Sequence, residues 1–116
     1  MKALEVVKNY FEYLRDGNLE GLAEIFDENI VWNQPGSGDL SGIYEGKAQV
    51  FKLFNEFISR SGGTFKIDEV KGLMANENLV AATIHFSASR KDKFISMDGV
   101  DLMKVEHGKI TVVYLF

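Results

Sequence analysis

The chain has 116 residues and a mass of 13.0 kDa, the size of one domain spanning residues 1–116. Hydrophobic residues make up 46 % and charged residues 26 %, with a formal net charge of −4 and a pI near 5.1. That acidic balance does not suit nucleic acid or an anionic membrane as a partner. The absence of cysteine excludes disulfides, thiolate metal sites and a cysteine nucleophile.

The first segment, MKALEVVKNYFEYL, places Leu4, Val7, Phe11 and Leu14 on one helical stripe, widened by Val6, Tyr10 and Tyr13. Glu5 and Glu12 inside that pattern mark an amphipathic helix over 2–16 and not a signal peptide. No apolar run approaches the roughly 18 residues that span a bilayer. A cytoplasmic location is the expectation. Gly17 suits the helix end and Asn18 the start of a second, short helix to about residue 27.

Residues 29–34, NIVWNQ, read as a strand ending at Pro35, with Ile30, Trp32 and Gln34 on one face. The glycine-rich stretch 35–45 reads as a loop. A third helix at about 46–60 carries Val50, Phe51, Phe54, Phe57 and Ile58 on a wide stripe, and Ser61-Gly62-Gly63 ends it. The period then changes from 3.6 to 2. Strands are expected at about 64–74, 78–90, 93–106 and 109–116, with turns at Asn76–Asn78, Lys91-Asp92 and His107-Gly108. Helices first and a meander afterwards give an α+β class, with the helices on one face of a curved sheet.

Such a sheet tends to leave an apolar pocket between the first helix, the third helix and the strands. On the strand 93–106, Ile95, Met97, Gly99, Asp101, Met103 and Val105 share a face, while Ser96, Asp98, Lys104 and Glu106 hold the wetter one. Alternation turns Asp101 inward, a lone carboxylate on an apolar face, unless that face is the solvated one. The expected pocket is lined by Trp32, Gln34, Phe54, Met97 and Asp101, with Phe86 beside them. Tyr10 is either a core residue or a hydroxyl facing that pocket. If Lys91-Asp92 is a two-residue turn, Ala82 lies opposite Asp101 and His85 opposite Asp98 on the outer face. One bulge would reverse the parity and bring His85 to the substrate.

The stretches YFEYLRDGNLEGLAEIFDENIVW, IYEGKAQV and MDGVDLMKVEHGKI together resemble the nuclear-transport-factor-2-like superfold, and within it the SnoaL-like polyketide cyclase group, over essentially the whole chain. The resemblance implies a cone-shaped α+β barrel: three N-terminal helices on a strongly curved, mainly antiparallel sheet. Relatives usually run a few residues further, so a tail beyond Phe116 is expected. In the similar ketosteroid isomerases a helix-1 tyrosine and a protonated aspartic acid form the oxyanion hole; these fall on Tyr10 and Asp101. Their catalytic base falls on Gln34, and a carboxamide cannot abstract a proton from carbon. The resemblance to limonene epoxide hydrolases puts polar first-strand positions on Trp32 and Gln34 and a last-strand aspartate near Leu115, where leucine cannot serve. The SnoaL-type single acid/base falls on Asp101.

Two classes of function follow. One is a cofactor-independent isomerase or cyclase acting on an apolar carbonyl compound, with Asp101 and Tyr10 as catalytic groups and no metal. The other is a non-catalytic ligand-binding or dimerisation module. A homodimer through the sheet is expected in either case, because both faces of 109–116 are apolar.

Overall fold

The computed structural model describes residues 2–116. Helix α1 (Ala3–Asp16) ends at Gly17, whose φ of 65° is left-handed backbone that glycine adopts without strain. Helix α2 (Leu19–Ile25) starts at Asn18, whose side chain accepts a hydrogen bond from the Gly21 amide at 2.9 Å. A Cβ on Gly21 would lie 2.8 Å from the Tyr13 ring, so glycine there lets the two helices touch. The carbonyls at the end of α2 are satisfied from outside: Lys47 Nζ donates to Ala23 O at 2.6 Å, and Lys109 Nζ donates to Glu24 O.

Strand β1 (Phe26–Gln34) follows directly, then β2 (Gly42–Glu45) and α3 (Lys47–Ser61). The meander is β3 (Lys66–Asn76), β4 (Leu79–Arg90), β5 (Lys93–Glu106) and β6 (Lys109–Leu115). The six strands form one sheet in the order β2-β1-β6-β5-β4-β3. Only the β1–β6 pairing is parallel. Register shifts between Ile67 and Glu69, between Val70 and Gly72, and between Lys104 and Val105 bend the sheet around the helices.

Two boundaries differ from the sequence reading. The stretch 35–45 is not all loop: Ile43 and Tyr44 pair with Asn33 and Trp32, making β2 an edge strand. Four residues starting at a glycine are too short to show alternation. The second helix stops at Ile25, and Phe26 takes an extended conformation as the first residue of β1.

That second change fills the interior. Phe26 is buried, and its ring meets Tyr10 at 6.0 Å, Trp32 at 6.4 Å, Phe51 at 5.7 Å and Phe54 at 6.0 Å, measured between centroids. Trp32 and Phe54 also pack edge-to-face at 5.1 Å. Around these rings sit Val6, Val7, Leu22, Val50, Leu53 and Met103, all buried. We expect Phe26→Ala to cost about 3–5 kcal/mol of stability, the scale for emptying a buried phenylalanine site. Urea denaturation followed by circular dichroism measures it; a loss below about 1 kcal/mol would show that the site collapses freely.

Candidate functional site

The concave face of the sheet is organised in rows. Leu73 pairs with Ala82, Ala82 with Asp101 and Asp101 with Leu115, so one row runs across four strands. Asn33 pairs with Tyr114, which brings Gln34 alongside Leu115 at the end of that row. Trp32 pairs with Val113 in the next row. Helices α1 and α3 cover these rows, with Tyr10 and Phe54 facing them.

Asp101 is the one carboxylate of the described residues buried within this apolar surface, at 6 % exposure. Its strand neighbours on the same face are Gly99 and Met103, and its cross-strand neighbours are Ala82 and Leu115. Burial pushes its pKa from the ordinary 3.8 to about 7, because the charged form loses its hydration. Tyr10 is buried too, and its phenol is held well above its ordinary value, first by burial and then by the negative charge Asp101 carries when ionised. Among the described residues no hydrogen bond reaches the Asp101 carboxyl or the Tyr10 hydroxyl. Nor is any buried side-chain oxygen or nitrogen sealed off without a partner. Both groups therefore open onto residual free space and not onto a protein acceptor.

Gln34 is half-buried, and its Oε1 accepts a hydrogen bond from Trp32 Nε1 at 3.0 Å. Two positions on one strand face thus lock each other, and the Gln34 amide keeps its NH2 group as a free-standing donor pair. Phe54 is buried against Trp32. Phe86 is half-buried on the concave side, and its ring would be 3.3 Å from a Cβ at Gly99. Beyond it Phe65 stacks on Phe57 at 5.9 Å and approaches Phe86 at 6.0 Å.

Two expectations need correction. The space between α1, α3 and the sheet is occupied by the rings of Phe26, Trp32 and Phe54. Two concavities lie elsewhere, one of about 450 Å³ on the convex face and one of about 520 Å³ beside Leu40, Tyr44 and α3. Met97 shares the face of Asp101 but is 48 % exposed, because the outer half of β5 extends past the helices that cover the inner half. His85 takes the outer-face position that a two-residue turn implies, and not the substrate-facing one that a bulge would give. The β4–β5 ladder has no register shift, so His85 stays opposite Asp98 on the convex face, with Nδ1 at 2.8 Å from Asp98 Oδ1. Ser96 completes that cluster, its Oγ 2.6 Å from His85 Nε2. The sequence reading missed Ser96 because it lies diagonal to His85 and not opposite it. No group of three potential metal ligands occurs among the described residues, and no described helix is long and apolar enough to cross a membrane.

Three helices on one side of a bent six-stranded sheet are the α+β architecture of the cystatin-like, NTF2-like folds. Within it, the chain belongs to the SnoaL-like domain family, whose pattern matches residues 7–113. A protein of unknown function with a cystatin-like fold from Xanthomonas campestris is 33 % identical, with a TM-score of 0.97, covering 100 % of this chain and 90 % of its own. A candidate SnoaL-like polyketide cyclase, also labelled a carbohydrate phosphatase, from Mesorhizobium loti is 21 % identical at a TM-score of 0.80, covering 100 % and 99 %. TerC, crystallised with polyporic acid, is 18 % identical at a TM-score of 0.86, covering 98 % and 89 %. The last two likenesses are of fold alone. No curated protein matches the sequence.

The Asp101 environment has a consequence for stability. With the folded pKa raised, the native state holds its proton more tightly than the unfolded chain does. Between about pH 4 and pH 7 the unfolded chain therefore binds fewer protons, and stability falls as pH rises through that window. The full contribution is up to about 4 kcal/mol. We expect Asp101→Asn to remove this slope and to be the more stable protein at pH 8. Urea titrations at pH 4.5 and pH 8 measure both; parallel curves for the two proteins would show that Asp101 is solvated.

Proposed function

We propose that the protein binds a small, mainly apolar carbonyl compound on its concave face and acts on it as a cofactor-independent isomerase or cyclase. The observation that carries this reading is Asp101: a buried, unpartnered carboxyl on an apolar face, near a buried tyrosine hydroxyl. A carboxyl titrating at about 7 is present in both forms near neutral pH, the condition for efficient proton transfer in either direction. As the acid, Asp101 donates to a substrate carbonyl as negative charge develops on its oxygen. As the carboxylate, it takes a proton from a carbon beside that carbonyl. Tyr10, kept protonated by burial, donates a second hydrogen bond to the enolate. Gln34 offers its NH2 to a further acceptor on the ligand but cannot act as a base, so steroid-isomerase chemistry is not part of the proposal.

The approach runs from the β4–β5 end. Ile95 and Met97 are exposed on the concave side there, and Phe65 is exposed beside them. The Phe86 ring lies over Gly99, between that rim and Asp101. A flat ring entering from the rim displaces Phe86 and reaches Asp101 by way of Gly99. Polyporic acid, the compound crystallised with TerC, makes a first probe.

The test uses the single tryptophan, Trp32, as reporter. Titration with polyporic acid is expected to quench its fluorescence. A panel of enolisable ketones and polyketide-like aromatics then measures turnover, with Asp101→Asn expected to lower kcat/KM by about 10²-fold or more while leaving the quench in place. Equal rates in the two proteins would remove Asp101 from the chemistry. Quenching without turnover would make the protein a ligand-binding module.

The same reading includes a two-fold dimer through the convex face. Met74, Ala81, Leu102 and Tyr114 form one row across that face, and Met74, Leu79 and Tyr114 are exposed. Light scattering at micromolar concentration is expected to give twice 13.0 kDa. A mass of one chain would leave the row as ordinary surface.

A further inference from the structure

The convex face carries a second cluster that the Asp101 reading does not use. Ser96 Oγ lies 2.6 Å from His85 Nε2, His85 Nδ1 lies 2.8 Å from Asp98 Oδ1, and Asp98 Oδ2 accepts a hydrogen bond from Lys71 Nζ at 3.1 Å. The sheet makes this arrangement. In the unbroken β4–β5 register, His85 faces Asp98 directly and Ser96 diagonally. The pair is of the non-hydrogen-bonded kind, in which side chains stand closest: Val100, two residues along from Asp98, turns its amide and carbonyl away from β4 to Phe116.

The protonation pattern follows from the partners. The hydrogen bond from His85 and then that from Lys71 hold the Asp98 carboxyl below its ordinary value, so it is ionised and can only accept. His85 Nδ1 therefore carries the hydrogen. In the neutral ring Nε2 then has a free lone pair, and the Ser96 hydroxyl donates to it. This is the order of groups that activates a serine: hydroxyl, imidazole base, carboxylate holding the tautomer. Ser96 is exposed, so a reagent reaches its oxygen. Beside the cluster lies the concavity of about 450 Å³, whose lining includes Lys71, Thr83, Asp98, Val100 and Phe116. Ser96 is six residues, about 20 Å of strand, from Leu102 in the middle of the apolar row.

We propose that Ser96, His85 and Asp98 form an acyl-transfer site on the convex face, with Ser96 as nucleophile toward small activated esters whose apolar part rests on Val100 and Phe116. Ser96 Oγ bonds to the ester carbonyl carbon as its proton passes to His85 Nε2. The carbon–oxygen bond to the leaving group breaks, and His85 returns the proton to the departing oxygen. Water then attacks the acyl-serine by the same route, releasing the acid and regenerating the hydroxyl. The sum is ester plus water to acid plus alcohol, with no redox change and no cofactor.

A fluorophosphonate and p-nitrophenyl butyrate are the probes. Incubation with the fluorophosphonate is expected to add one adduct, mapped to Ser96 by peptide mass spectrometry. Ser96→Ala should abolish it, and His85→Ala should slow it by about 10²-fold or more with circular dichroism unchanged. Release of p-nitrophenol should fall in the same two variants. No adduct, an adduct elsewhere, or an unchanged rate in His85→Ala would each reduce the cluster to a hydrogen-bond network on the sheet. None of these readouts depends on Asp101, so either site can fail without the other.

Discussion

The position of the Phe26 ring decides how the rest of the molecule packs. It touches one ring from α1, one from β1 and two from α3. Those contacts fix how far the helices stand off the sheet, because rings at 5.7–6.4 Å leave no intermediate spacing. The backbone change at Ile25–Phe26, from helix to strand without a loop, is what aims the ring inward. Both Lys47 and Lys109 secure that change by capping the carbonyls the helix leaves behind.

Asp101 sits at the margin of this packed region, where the rings give way to Gly99 and Phe86. A carboxyl placed there loses hydration and receives no hydrogen bond in exchange, an arrangement that costs stability once it ionises. Such a cost is commonly tolerated where function resides. The convex cluster is the opposite case. There Asp98 is solvated, paired with a cation and a histidine, and ionised at every ordinary pH. One strand thus presents two aspartates three residues apart with opposite electrostatics, because odd and even positions of β5 face different media.

Much of this was legible in the sequence. Period-2 alternation over 93–106 was long enough to assign faces, and the Lys91-Asp92 turn set a register that placed Ala82 against Asp101 and His85 against Asp98. The resemblance of three separated stretches carried the family and the fold. What the sequence did not show depended on packing. Nothing local says that Phe26 leaves the helix one residue after Ile25, because its apolar character suits either element. The same ambiguity made the interior look hollow, since a residue counted on a helix stripe is not available to fill the centre. Met97 followed the correct face but not the correct depth: alternation gives direction, and only the helices' extent gives cover. The strand at Gly42–Glu45 lacked the length for any periodic signal. Trp32 and Gln34 were recognisable as one face, whereas the hydrogen bond joining them required the rotamers.

The place of β6 has a consequence for the order of folding. This strand lies between β1 and β5, so within the sheet the β1–β2 pair and strands β3–β4–β5 meet only through it. The meander assembles from neighbours in sequence, which is fast, whereas the parallel β1–β6 ladder joins residues about eighty positions apart. Until that ladder closes, β1 and β6 each expose an open edge rich in apolar side chains. The interval before β6 docks is therefore the period in which two nascent chains can pair wrongly, and the speed of that last step sets how much protein escapes aggregation.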